Sequence, residues 1–176
     1  MMNLIHEMTT STLVWLFIVA FMLHDLEEII WVEVWIKKNR NHVIRVVPTR
    51  LKKQLEKMFN ITSGQFAFAV LLEFIIFIPF TFLAAEQGKF FIFLSFNTLF
   101  LIHVFTHVGQ SIYLKMYTPG VVSAVIITLP YSLYLFYRLI SEGLVTWGEV
   151  LLSIPVGLML LPIVLLGHEL GRRFVK

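Results

Sequence analysis

The run TLVWLFIVAFMLHDLEEIIWVEVW (residues 12–35) decides how the chain is read. About 20 apolar residues, at about 1.5 Å each, suffice to cross a bilayer. Yet this run holds His24, Asp25, Glu27 and Glu28 close together. Even on lenient insertion scales an ionised side chain at the bilayer centre costs about 2.5–3.5 kcal/mol. Packing alone gives no reason for four such groups, so the cluster reads as a site. On an α-helix His24, Glu27 and Glu28 stand at i, i+3 and i+4 and share one face. Phe17, Ala20, Trp31 and Trp35 run around the same face. Asp25 is turned about 100° to the side. Glu33 lies on the opposite face near the helix end, where a charged side chain snorkels to the interface.

The 176-residue chain is 58 % hydrophobic, with a mean hydropathy of +0.83. That composition belongs to a single-domain polytopic membrane protein rather than a soluble one. There is no cysteine, which excludes disulfides, thiolate metal sites, cysteine-ligated clusters and covalent haem attachment. The redox compartment is left open. The isoelectric point near 9.3 would suggest nucleic acid in a soluble chain. Here the basic residues gather between apolar runs, and topology explains them better. Residues 1–11 carry Glu7 and no Lys or Arg. The run behind them is too long and too charged for a cleavable signal peptide, so the first helix is expected to stay.

Five spans are expected, at about 12–35, 65–85, 90–114, 119–140 and 145–166. The Thr/Ser stretch at residues 9–12 is a natural N-cap for the first, and Pro119 suits a first helical turn. Pro130, Pro155 and Pro162 should kink their helices. No sequence repeat is visible. Lys37, Lys38, Arg40, Arg45, Arg50, Lys52, Lys53 and Lys57 fall in the first connection. Lys115 lies in the third, and Arg172, Arg173 and Lys176 close the chain. The positive-inside rule then predicts the N-terminus outside and the C-terminus cytoplasmic. Within the first connection, Leu51, Leu55, Met58 and Phe59 form an apolar stripe against Lys52, Lys53, Glu56 and Lys57. This predicts a cytoplasmic amphipathic helix, about 49–59, on the anionic inner leaflet. The expected fold is all-α: five transmembrane helices plus this one. His42 reads as solvated. Arg138 with Tyr131, Tyr134 and Tyr137 reads as an aromatic belt with a snorkelling Arg. The turn from Tyr117 to Gly120 reads as structural.

Two other runs offer partners for the first cluster. Glu73 stands alone in the second, where a carboxylate needs a partner or a proton. In the third, His103, Thr106, His107 and Gln110 recur at i, i+3, i+4 and i+7. Two His at i and i+4 can grip one metal from one helix face. Counting back from the expected cytoplasmic ends puts His24, Glu27, Glu28, Glu73, His103 and His107 in one layer, roughly 11–18 Å deep. His168 and Glu169, at the end of the fifth run, could close this layer from below or mark the interface.

The pattern His24-x-x-Glu27-Glu28 in a first membrane helix resembles the HXXEE family of small bacterial and archaeal membrane proteins. The likeness extends over most of the chain in length, span number and motif position. It implies that His24, Glu27 and Glu28 are hallmark positions, and it supplies no reaction. CAAX-processing proteases fit less well, since they follow the Glu pair with an Arg that is missing here. Membrane desaturases carry more His boxes than six His can fill. Di-iron bundles use the reverse order, Glu-x-x-His. Sterol isomerases of the emopamil-binding type also pair His and Glu in five membrane helices, an analogy of chemistry only.

Imidazole and carboxylate together suit zinc or iron. The sequence therefore points to a metal-dependent intramembrane enzyme, a hydrolase by preference, acting on a lipid or membrane-borne substrate. His24, His103 and His107 are the expected ligands, with Glu28 or Glu73 completing the shell. Of Glu27 and Glu28, the one left free, Glu27 by preference, is the expected general base. A rival reading needs no metal: a buried Glu/His pair moves protons, as an isomerase or a proton-coupled transporter does. Haem held by two His is a third reading, which the neighbouring carboxylates disfavour.

Overall fold

The structure, a computed structural model, describes residues 8–175. Glu7 and Lys176, used in the topology reading, lie outside the described residues, as does the side chain of Lys57. Among the described residues six helices follow one another: α1 (Thr10–Val46), α2 (Thr49–Met58), α3 (Ser63–Gln87), α4 (Phe90–Leu114), α5 (Val121–Ser141) and α6 (Trp147–Phe174). Their starts are written in local chemistry. The Thr9 side chain accepts from the Thr12 N–H at the head of α1. Thr62 with Gln65 and Thr146 with Glu149 form reciprocal capping boxes on α3 and α6, each satisfying two otherwise orphaned donors. Gly88 closes α3 at a φ of 67°, a left-handed turn that glycine adopts without strain.

Four helices, α3 to α6, are long and apolar enough to cross a membrane. The expected fifth, 12–35, is not among them, because ionisable groups interrupt its apolar run. Nor does α1 stop at Trp35; it continues as one helix to Val46. The reason is a second small core, where Ile36, Val43 and Val47 pack with Phe59 and Leu114. Lys37, Lys38, Arg40 and Arg45 therefore stand on a helix rather than in a loop. His42 is half-buried, not solvated, with Nε2 3.4 Å from the Leu114 carbonyl oxygen. Glu33 pairs with Lys37 at 2.6 Å and accepts from the Ser63 N–H at 3.1 Å, which ties α1 to the head of α3.

α5 begins at Val121 rather than Pro119, because Gly120 takes a φ of 87° immediately before it. Its first part is a π-helix over Ala124–Thr128, where the Leu129 N–H reaches back to the Ala124 carbonyl. Pro130 follows, and its missing N–H disrupts ordinary α bonding at this point. Pro155 and Pro162 remain inside one assigned helix, α6.

The helices pack as a ring: α1 on α3, α3 on α6, α6 on α4, α4 on the π segment of α5, and that segment back on α1. Phenylalanines fill the middle. Phe17 is fully buried, with ring centroids 5.4 Å from Phe77, 5.6 Å from Phe93 and 5.7 Å from Phe100. α6 approaches by way of glycines. A Cβ at Gly157 would lie 2.5 Å from the Ser95 carbonyl oxygen, and one at Gly171 would strike that of Gln65. Small residues allow such close helix contacts where lipid supplies no hydrophobic drive. At the other end of α5, Arg138 bonds Tyr134 at 2.9 Å, Glu142 and the Met8 carbonyl. It ties the end of α5 to the chain just before α1.

Candidate metal centre

The polar layer starts where the phenylalanines end. Phe100 touches Phe17 and Phe21 on one side and His24 on the other, 5.7 Å between centroids in each case. Two helices then supply two groups each, at i and i+4: His24 and Glu28 from α1, His103 and His107 from α4. One ligand atom from each of the four lies within 4.8 Å of all the others. The His103 and His107 Nε2 atoms are 2.7 Å apart, and His107 Nε2 is 3.5 Å from Glu28 Oε1. His24 and His107 are buried, and the Glu28 side chain is 14 % exposed.

The hydrogen bonds around the cluster indicate which nitrogen of His24 and of His103 carries the proton. Glu27 accepts from the Tyr117 hydroxyl at 2.7 Å, the Ser123 N–H at 2.7 Å and the Ser123 hydroxyl at 2.5 Å. Ser123 has one proton to give. With that proton on Glu27, its oxygen accepts from His24 Nδ1–H, 3.0 Å away. The lone pair of His24 is then on Nε2, which is buried without a hydrogen-bond partner among the described residues. The same reasoning applies on α4. Thr106 gives its proton to the His103 carbonyl at 2.7 Å, so at 3.3 Å it accepts from His103 Nδ1–H. Outer groups that hold Nδ1 and turn Nε2 toward the cluster are the usual support of a metal-binding histidine.

The donor set passes a simple test of size. Zn–N bonds of about 2.0–2.1 Å in a tetrahedron put ligand atoms about 3.3 Å apart. The His103–His107 separation is smaller than this, and the 4.8 Å upper bound is larger, so small rotamer shifts suffice. The chemistry agrees, three imidazoles and one carboxylate being a borderline set suited to zinc or iron. The cluster can hold a metal ion.

Gly120 completes the floor. A Cβ there would lie 2.5 Å from His107 Cε1 and 2.9 Å from Glu28 Cγ. The backbone entering α5 thus presses against both helices of the cluster, and Trp35 Nε1 holds it there through the Tyr117 carbonyl at 2.6 Å.

Of the residues expected from sequence, His24, Glu28, His103 and His107 come together. Glu73 is buried on α3 but is not one of the four; it lines a cavity of about 20 Å³ with Phe77, Phe96 and Leu160. Glu27 stands outside the cluster, its acceptor sites engaged by Tyr117 and Ser123. Asp25, expected off to the side, is 5 % exposed, with Oδ2 unpartnered among the described residues. Gln110 is exposed. His168 packs on Phe66, 5.0 Å between centroids, and Glu169 pairs with Arg172. Neither belongs to the four-residue cluster. Sequence reading missed Ser123 and the role of Tyr117 and Gly120. The available signal was a glycine followed three residues later by serine, at the head of an apolar run.

A family model described as a protein of unknown function with an HXXEE motif matches residues 15–135. The chain belongs to the HXXEE family. The motif is His24-Asp25-Leu26-Glu27-Glu28; His24 and Glu28 lie in the cluster, and Glu27 accepts from Ser123 beside it. The chain is 25 % identical over 161 residues to the uncharacterized protein YrkK of Bacillus subtilis (strain 168). The alignment covers 88 % of this chain and 92 % of that protein. No solved structure matches.

Proposed function

We propose that this HXXEE protein is a metal-dependent membrane enzyme, a hydrolase by preference, acting on a lipid or membrane-borne substrate. The observation that carries the reading is the convergence of three imidazoles and one carboxylate from two helices, with a bare, buried nitrogen on His24. His24, His103 and His107 are the ligands, and zinc is the first choice of ion, iron the second. Such an ion supplies Lewis acidity at neutral pH. Glu28, beside His107, either completes the shell or takes the proton of an attacking water. Glu27 orients His24 through Ser123 rather than acting as the base. Glu73 stays in reserve as a buried acid behind Glu28.

α1 counts as a fifth crossing in this reading, because it shares the phenylalanine core with α3 and α4. Basic residues on the α1 extension, on α2 and at the end of α6 favour a cytoplasmic C-terminus and an external N-terminus. The test is elemental analysis of detergent-purified protein. About one equivalent of zinc or iron per chain is expected, and H103A and H107A should each lose it.

One observation favours a second reading. Two Nε2 atoms at 2.7 Å can share a proton, and Glu28 stands next to them. A metal-free Glu/His proton-transfer site, isomerase or coupled transporter, has this geometry. It predicts no stoichiometric metal, with proton uptake in vesicles lost in E28Q.

A further inference from the structure

One stripe of α1 continues away from the cluster: Glu27, Trp31, Val34, Trp35 and Lys38, at i, i+4, i+7, i+8 and i+11. With Val122, Ile126 and Ile127 of α5 opposite, it forms an open groove of about 790 Å³. Glu27 and Ser123 stand at one end, Lys38 and Asn39 at the other. From Glu27 to Lys38 the helix rises about 16 Å, close to half the hydrocarbon thickness of a bilayer. The walls are apolar and the far end carries a cation.

The cations around Lys38 have partners within the chain. Lys37 is paired with Glu33, Arg40 lies over the Phe59 ring at 5.9 Å, and Arg45 donates to the Asn41 carbonyl. Lys38 makes no ion pair among the described residues and is exposed at the groove mouth. Asn39 gives its amide N–H to the Trp35 carbonyl at 3.0 Å, which leaves its side-chain oxygen at that mouth.

We propose that this groove binds one phospholipid of anionic headgroup from the surrounding leaflet. Its phosphate meets Lys38. One acyl chain lies along Trp31 and Val34 against Ile126 and Ile127. The chain ends against Glu27 and Ser123, the pair that orients His24. Charge complementarity selects the headgroup, because an unpaired ammonium next to an apolar channel suits an anion attached to a chain better than a soluble one. Binding in the groove stands whether or not the cluster holds an ion.

The test uses the tryptophans already in the wall. In a W15F/W147F background only Trp31 and Trp35 remain to fluoresce. The protein is placed in phosphatidylcholine vesicles carrying rising fractions of brominated phosphatidylglycerol or brominated phosphatidylcholine. Quenching by the anionic lipid should saturate at a mole fraction about fivefold lower than by the neutral one, one lysine near the surface accounting for that factor. K38Q should abolish the preference, and I126F should weaken saturable quenching by both lipids. Equal quenching by the two lipids would mean an ordinary lipid annulus and would overturn the proposal. So would a preference that survives K38Q, or displacement by soluble glycerol phosphate alone. Native mass spectrometry of the unmodified protein from mixed-lipid nanodiscs gives a second readout. One phosphatidylglycerol should remain bound, and none in K38Q.

Discussion

His24 is held by a chain of three groups, Glu27 to Ser123 to its own Nδ1, and the consequence is testable at single residues. In S123A the imidazole loses the acceptor that fixes its tautomer. Metal affinity should fall about 10–100-fold, as it does when outer support is removed elsewhere, while helical content is unchanged. Chelator competition against zinc measures this, and wild-type affinity in S123A would remove Glu27 and Ser123 from the site. Tyr117 is the other donor to Glu27. Its partial burial and that hydrogen bond push the phenol pKa up, so it stays a donor at neutral pH. Gly120 is constrained twice, by its positive φ and by the approach of His107 and Glu28. A left-handed conformation costs a non-glycine residue about 1–3 kcal/mol, and the methyl would also displace the His107 and Glu28 side chains. G120A should lower the thermal midpoint in detergent and the bound metal together. A stable G120A that keeps its metal would show that the α5 entry lies farther from the cluster.

At the scale of elements, the site depends on α5 being pinned at both ends. At its start, Glu27 accepts from the Ser123 N–H, so a carboxylate stands at the head of the helix, where the dipole favours it. At its end, Glu142 accepts from Thr10 at the start of α1 and from Arg138 at 2.6 Å. The Thr10 bond, and then Arg138, hold the Glu142 carboxyl below its usual range. A folded-state pKa below the unfolded one means stability that is present above about pH 4.3 and lost as pH falls through the depressed value. Acid unfolding of the wild type should therefore steepen below that pH, and E142Q should be less stable at neutral pH but flatter in acid. Parallel pH profiles for the two proteins would rule out this clamp. α6 has a different part. Its glycines bring it against α3 and α4 from behind, so it sets the spacing of the ring without contributing a ligand.

For the whole molecule, the number of helices that cross is a prediction labelling can check. Four are long and apolar enough to do so, and α1, packed into the ring, is the fifth of the proposed reading. The chain has no cysteine, so single introduced cysteines report topology directly. With five crossings, K53C and R173C label from one side of the membrane and K89C from the other. With α1 outside the count, residues 53 and 89 still lie on opposite sides of α3. A cysteine at Thr10 then decides: it labels with K89C if α1 crosses and with K53C if α1 does not.

The sequence by itself determined the helices, their starts to within about two residues, and the i, i+4 pairing of His24 with Glu28 and of His103 with His107. All of these follow from a 3.6-residue period and from groups a few positions apart, so no knowledge of neighbours is needed. Only the tertiary structure decided which faces meet. Glu73 has the right residue type, yet it lines a small cavity with side chains of α4 and α6 and is not one of the four. Glu27 shares a face with Glu28, yet the close approach of Gly120 and Ser123 makes it a support. The length of α1 was likewise settled by Phe59 and Leu114, far away in sequence. Helix rotation and close approach are set by packing between segments, which a local period does not encode.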